Sequence, residues 1–297
     1  MAGFRVTERA IAGRVLVGLQ RNLDRLGVTQ QQLSSGKMIS KASDSPGGTV
    51  SAMQFRADIA NQQQYSRNVD DGLGWLGAAD TALDQVIDHV NRVRSLVVAN
   101  GSAGTGQSYD ARDAMAAEVE GLRNSMIGVA NTNYLDRPIF GGTVNGNVAY
   151  NPLTGAYVGD TGQVSRSIGD NTKVRVAING PAAFGSGNQQ LFSMLSNIAS
   201  GLRNGTLNTA TTLTALDDAA SRLQTAMSSL GARYNQLDRA RQTADDRAMS
   251  LQIQLSNVED VDLPKTITDL QLQQTAYQAA LAAASRVVQP SLVDFVR

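Results

Sequence analysis

From Leu213 to Val258 apolar residues recur at alternating steps of three and four, and this stretch constrains the chain more than any other. The stripe runs Leu213, Leu216, Ala220, Leu223, Met227, Leu230, Tyr234, Leu237, Arg241, Ala244, Ala248, Leu251, Leu255 and Val258, and thirteen of these fourteen positions are apolar. A repeat of that spacing keeps one side of an α-helix turned toward a partner. At 1.5 Å per residue the helix would be about 70 Å long, well beyond the three or four turns of an ordinary globular helix. Such a rod cannot bury its stripe against itself, so other long helices must cover it.

Those helices are legible. A second stripe passes through Val69, Leu73, Leu76, Asp80, Leu83, Ile87, Val90, Arg94 and Val97, and a third through Met115, Val119, Leu122, Met126 and Val129. Between them Gly101, Gly104 and Gly106 disfavour helix, and Ser108 or Asp110 is placed to cap the next one, which predicts a helical hairpin. From Phe140 to Phe184 the texture changes. Here Val148–Tyr150 and Tyr157–Val158 flank an Asn-Pro-Leu-Thr-Gly turn, and Lys173–Ile178 alternates with period two. A modest helix from Asn188 to Leu202 leads back to the rod.

The two ends carry stripes of their own. Leu16, Leu19, Leu23, Leu26, Gln30 and Leu33 form one; Leu263, Ile267, Leu270, Gln274, Tyr277, Leu281, Ala284 and Val288 form the other. The step of five from Val258 to Leu263, together with Pro264, places a joint near Asp260–Pro264. A helix of roughly 20–30 residues is marginal alone in water, so each end needs the other or a neighbour. Residues 1–42 hold seven Lys or Arg against two Asp or Glu, whereas residues 259–297 hold three against five, a contrast that favours pairing. The expected assembly seam is Leu16, Leu19, Leu23, Leu26 and Leu33 with Leu263, Ile267, Leu270, Tyr277, Leu281, Val288 and Phe295. The predicted fold is mainly α, an elongated bundle of long heptad-patterned helices with coiled-coil termini and a small β-rich insertion. Its expected parts are residues 1–42 with 259–297, a helical rod of 43–141 with 188–258, and the insertion 142–187.

Composition narrows the function. Twenty-six Lys and Arg balance twenty-six Asp and Glu, so bulk charge points to neither nucleic acid nor an anionic membrane. No apolar run of about 18 residues predicts membrane insertion, and Arg5, Arg9 and Arg14 interrupt what would be a secretory signal. Without cysteine there is no disulfide, thiol nucleophile or thiolate metal site, a composition that suits export in an unfolded state. His89 is the one histidine, so a helical zinc-hydrolase motif is excluded, and no Gly-x-Ser-x-Gly elbow occurs. Gly36-Lys37 lacks both the earlier glycine and the following Ser or Thr of a phosphate loop. Glu259, Asp260 and Asp262 read as a solvated joint favouring the start of the next helix rather than as a cation site. The expectation is a structural protein, not an enzyme, with no cofactor and no metal.

Several segments resemble a known family. Leu33-Ser34-Ser35-Gly36-Lys37-Met38-Ile39-Ser40-Lys41-Ala42-Ser43-Asp44-Ser45-Pro46-Gly47-Gly48 is similar to the signature after the first helix of bacterial flagellins and their hook-associated relatives, and Arg67–Leu76 resembles the family's next such stretch. Within the superfamily, Ala130–Thr143, with its Phe140-Gly141-Gly142-Thr143, and the ending Leu270–Leu281 and Ser291–Arg297 look like the branch at the junction of hook and filament. Pro264 and Pro290 depart from an unbroken terminal helix. The resemblance implies unfolded export through the flagellar type III apparatus with a chaperone, terminal helices paired in an inner tube, and an outward-facing insertion. The implied location is the extracellular flagellum. It also implies a ring of copies contacting the first hook-associated protein on one side and flagellin on the other, with Gly36 and Ser45–Gly48 as flexible points between terminal helix and body. A bulk filament subunit and a secreted coiled-coil binding protein are the competing readings.

Overall fold

The structure, a computed structural model, describes residues 2–103 and 108–288. It is mainly α, with long helices and small two-stranded sheets. In chain order the elements are α1 (Ala2–Ser35), α2 (Pro46–Ala103), α3 (Tyr109–Ala130), β1 (Asn133–Tyr134), β2 (Arg137–Pro138), β3 (Ser165–Gly169), β4 (Thr172–Arg175), α4 (Gly180–Phe184), α5 (Leu191–Asn204), α6 (Thr209–Glu259) and α7 (Leu263–Val288). They form two compact units: Met1–Ala60 with Ala248–Arg297, and Asn61–Arg247.

In the larger unit the heptad stripes become the core. Leu216, Leu223, Leu230 and Leu237 of α6 are buried, as are Val69, Leu76, Leu83, Val90 and Val97 of α2 and Val119 and Met126 of α3. Burial of each such side chain is worth roughly 1.5–3 kcal/mol. Two charged interruptions of the stripes pair between helices: Arg94 of α2 donates to Asp217 of α6 at 2.9 Å, and Arg241 of α6 lies 3.3 Å from Asp70 of α2. α3 and α5 are pinned by Arg203, which donates to Asp113 at 2.8 Å and to both oxygens of Glu120 at 2.6 and 2.9 Å.

Ser108 caps α3, accepting from the Ala111 amide, as the spacing predicts. α2 runs on through Gly101 to Ala103, further than its glycines suggest, and Gly104–Gly106 lie outside the described residues. The close approach of the start of α6 explains Gly101, since an added Cβ would stand 2.7 Å from Thr209 Cγ2. The helix expected from Asn188 begins instead at Leu191, after a 3-10 turn at Gly187–Gln189, and ends at Gly205, whose φ of 67° suits glycine.

The β-rich segment holds an antiparallel β3–β4 hairpin and an isolated bridge between Tyr150 and Tyr157. The turn between those tyrosines is built as expected: Asn151 Oδ1 accepts from the Leu153 and Thr154 amides, and Gly155 takes φ 72°. The side chain of Asn131, at the end of α3, acts as a substitute strand. Its Oδ1 accepts from the Ala149 and Tyr150 amides at 2.8 Å and its Nδ2 donates to the Tyr150 carbonyl at 2.8 Å. Behind it Phe140, Tyr150, Phe184 and Phe192 stack largely edge to face, with ring centroids from 5.0 to 5.6 Å apart.

A Cβ on Gly180 would lie 2.8 Å from Tyr157 Cε2 and 2.9 Å from Tyr150 Cζ. Gly180→Ala is therefore expected to destabilise the Asn61–Arg247 unit by about 1–3 kcal/mol, seen as a lowered thermal unfolding midpoint; an unchanged midpoint would mean the aromatic cluster gives way freely.

Candidate assembly interface

In the smaller unit α1 and α7 lie along one another. Among the described side chains the half-buried or buried positions are Val15, Leu19, Asn22, Leu26, Thr29, Gln32 and Leu33 on α1, and Thr266, Asp269, Leu270, Gln273, Tyr277, Ala280 and Ala284 on α7. Thr29 Oγ1 donates to Gln273 Oε1 at 3.0 Å. The pair therefore shares only half of each apolar stripe. Leu19, Leu26, Leu33, Leu270 and Tyr277 turn inward, whereas Leu16, Leu23, Leu263, Ile267 and Leu281 are exposed. Val288 ends α7 with a side chain outside the described residues, and Phe295 lies outside them altogether. Polar Asn22, Thr29, Thr266 and Gln273 occupy the inner alternate positions, so the contact within the chain is thin and a second, apolar edge is left over.

Two links join this pair to the rest of the unit, and the residues of the first family-like signature build one of them. Gly36 closes α1 in the left-handed conformation, φ 71°. Lys37 Nζ donates to Glu259 Oε1 at 2.5 Å, and Arg56 Nη2 donates to the same oxygen at 2.5 Å. The backbones are bridged as well: Met38 N donates to Glu259 O at 2.6 Å, and Val261 N donates to Gly36 O at 3.1 Å. Asp44 Oδ2 accepts from the Ser40 and Lys41 amides and from Ser40 Oγ, which holds its carboxyl below the usual carboxylate range. Ser45 Oγ accepts from the Gly48 amide at the start of α2, and a Cβ on Gly48 would collide with Ile39. Of the glycines expected as flexible points, Gly36 meets a left-handed backbone, Gly48 meets close packing, and a Cβ on Gly47 would meet open space. Pro264 falls in the first turn of α7, where its missing N–H breaks no helical bond, and the Lys265 amide is capped by Asp262. Beside the links, Ala52, Ile59 and Leu255 are buried with Phe55, Leu251 and Val258 against them.

Glu259, read from the sequence as part of a solvated joint, is instead buried. Its side chain is 5% exposed. Burial alone would raise its pKa, but the hydrogen bonds from Lys37 and Arg56 outweigh this and hold the carboxyl below the usual range. The signal for it is weak because its partners are 222 and 203 residues away.

The comparisons with known proteins agree with this architecture. Residues 8–144 match the bacterial flagellin N-terminal helical region, and residues 213–296 match the bacterial flagellin C-terminal helical region. The chain belongs to the bacterial flagellin family, whose members are structural proteins of the flagellum. Over nearly its whole length it is similar to flagellar hook-associated protein 3 of Escherichia coli K12, 26% identical over 278 residues that cover 85% of this chain and 87% of that protein. It is also similar to flagellin of Bacillus subtilis 168, 24% identical over 296 residues, covering 95% and 97% of the two chains. Among solved structures, hook-associated protein 3 of Legionella pneumophila shares the fold, with a TM-score of 0.59 at 15% identity over 69% of this chain and 98% of that one.

Glu259→Gln is expected to weaken the link by about 1–2 kcal/mol, because one partner of a buried charge cluster is lost while Lys37 and Arg56 remain half in solvent. Hydrogen exchange at the Met38 and Val261 amides should quicken. In the unaltered chain, a depressed folded-state pKa means stabilisation that is complete at neutral pH and fades as pH falls through the carboxylate range and below it. Protection factors at these amides, corrected for the intrinsic pH dependence of exchange, that stay constant down to pH 3 would contradict the assignment.

Proposed function

We propose that this chain is a structural adaptor that joins the flagellar hook to the filament, assembled through its terminal helices. The carrying observation is the α1–α7 pair, which buries one half of each apolar stripe and leaves Leu16, Leu23, Leu263, Ile267 and Leu281 for neighbours. The similarity to hook-associated protein 3 over 85% of this chain supports the hook-filament junction as the place of that assembly. In this reading residues 1–42 with 259–297 form the inner paired region, 43–141 with 188–258 the surrounding body, and 142–187 the outer face. Copies form a ring whose neighbours are the first hook-associated protein and flagellin. The chain reaches the extracellular flagellum by type III export with a chaperone, and it performs no catalysis.

The similarity to Bacillus subtilis flagellin over almost all of both chains supports a second reading, a bulk filament subunit. Quantitative mass spectrometry of sheared flagella separates the two. The adaptor is expected in a few copies per filament end, whereas dominance of this chain would make it the filament subunit.

Because Leu23 and Leu281 are exposed, Leu23→Asp and Leu281→Asp should leave helicity and thermal stability unchanged while reducing incorporation into flagella at least ten-fold. Normal incorporation and motility would remove the terminal stripes from the assembly.

A further inference from the structure

The β1–β2 hairpin carries a tip that folding does not explain. Leu135 and Asp136 form its two-residue turn with φ values of 48° and 59°, both in the left-handed region. That turn favours Asn-Gly, and a leucine there costs about 1 kcal/mol or more. Leu135 is nevertheless 71% exposed, and Asp136 is exposed without a hydrogen bond or ion pair among the described residues. An apolar side chain and a carboxylate are thus presented together, both exposed, on a strained turn.

Elsewhere in the same unit, a cavity of about 410 Å³ opens between α6 and the segment that links β4 to α4. Ile178, Ala182 and Ala226 give it apolar walls, and Arg175, Arg222 and Arg233 bring three guanidinium groups, with no carboxylate among the lining residues. Arg222 donates through Nη2 to the Gln189 carbonyl, but its Nε is buried without a partner among the described residues. Arg233 donates to the Ala177 carbonyl at 3.0 Å; burial and the neighbouring charge of Arg175 both push its pKa below the usual arginine range, the reverse of what a carboxylate would do. Arg175 is exposed at the rim with no ion-pair partner among the described residues. A cavity of this kind suits a ligand with one apolar and one carboxylate end.

We propose that the Leu135–Asp136 tip of one copy seats in the arginine-lined cavity of a second copy, Leu135 against Ile178, Ala182 and Ala226, and Asp136 against the guanidinium groups. The two surfaces differ, so the contact is head to tail, the kind that builds rings and helices rather than closed two-fold dimers. The inference rests on the reading of the chain as a self-associating flagellar subunit.

The absence of native cysteine makes the test clean. Cells that make Asp136→Cys and Arg175→Cys variants together would have their flagella isolated and treated with a short bis-maleimide. A cross-linked dimer containing one of each variant is expected, at least ten-fold above the yield from either variant alone or from Asp136→Cys with Asp84→Cys, whose exposed site on α2 lies outside the cavity. Both variants present in flagella without that dimer would overturn the contact alone; their absence from flagella, with the unaltered chain also absent, would overturn the adaptor reading and the contact with it. As an independent measure, Asp136→Arg should cut incorporation about ten-fold and Arg175→Asp in the same chain should restore it. Failure of that restoration, with both variants folded, would also overturn the contact.

Discussion

A helix as long as α2 or α6 has no means of holding itself together in water, and the requirement that each bury a heptad stripe organises the larger unit. Nucleation is costly and polar faces give small returns per residue, so stability must come from the side that is covered. Leu216, Leu223, Leu230 and Leu237 of α6, and Val69 to Val97 of α2, are that side. α3, α5 and the aromatic cluster complete the cover, and for this reason the second and third family-like segments are dense in close contacts. Gly72 admits Leu237 and Val176, Gly74 admits Tyr134, Trp75 meets Tyr134 edge on at 5.8 Å, and Asp71 pairs with Arg166.

The same rule applied to the ends gives a different outcome. α1 and α7 are each long enough to need a partner, yet their mutual contact takes Leu19, Leu26, Leu33, Leu270 and Tyr277 together with threonine, asparagine and glutamine. A chain selected for stability as a monomer would place leucine on both inner rows. Here leucine is divided between an inner row and an outer one, an arrangement in which the terminal pair is completed by its neighbours in an assembly.

Helices, their stripes, the joint near Pro264, the cap at Ser108 and the turn at Asn151–Gly155 were legible because each follows from local periodicity or local turn chemistry. The direction in which a stripe divides between two partners is not local: Leu16 and Leu19 are equally apolar in the sequence, and only the seating of α7 makes one outer and one inner. Glu259 reads as a solvated carboxylate for a related reason, since nothing near it in the chain announces Lys37 and Arg56. The Leu135–Asp136 turn is invisible to propensity because it uses residues that disfavour its backbone. Gly36 and Gly48, expected as flexible points, also have structural roles of different kinds, one closing a helix in the left-handed conformation and the other making room for Ile39.

The paired links have a mechanical consequence. A single flexible linker swivels about its own bonds, so rotation applied at one end dissipates before it reaches the other. Here two chain segments leave the α1–α7 pair side by side, tied by amide–carbonyl bonds between Gly36–Ile39 and Glu259–Val261 and by the charges converging on Glu259. Twisting one about the other must break those bonds in concert. Such a link yields to bending and resists torsion, and in an organelle that works by rotation it would pass torque from the terminal pair into the first turns of α2 and the last turns of α6.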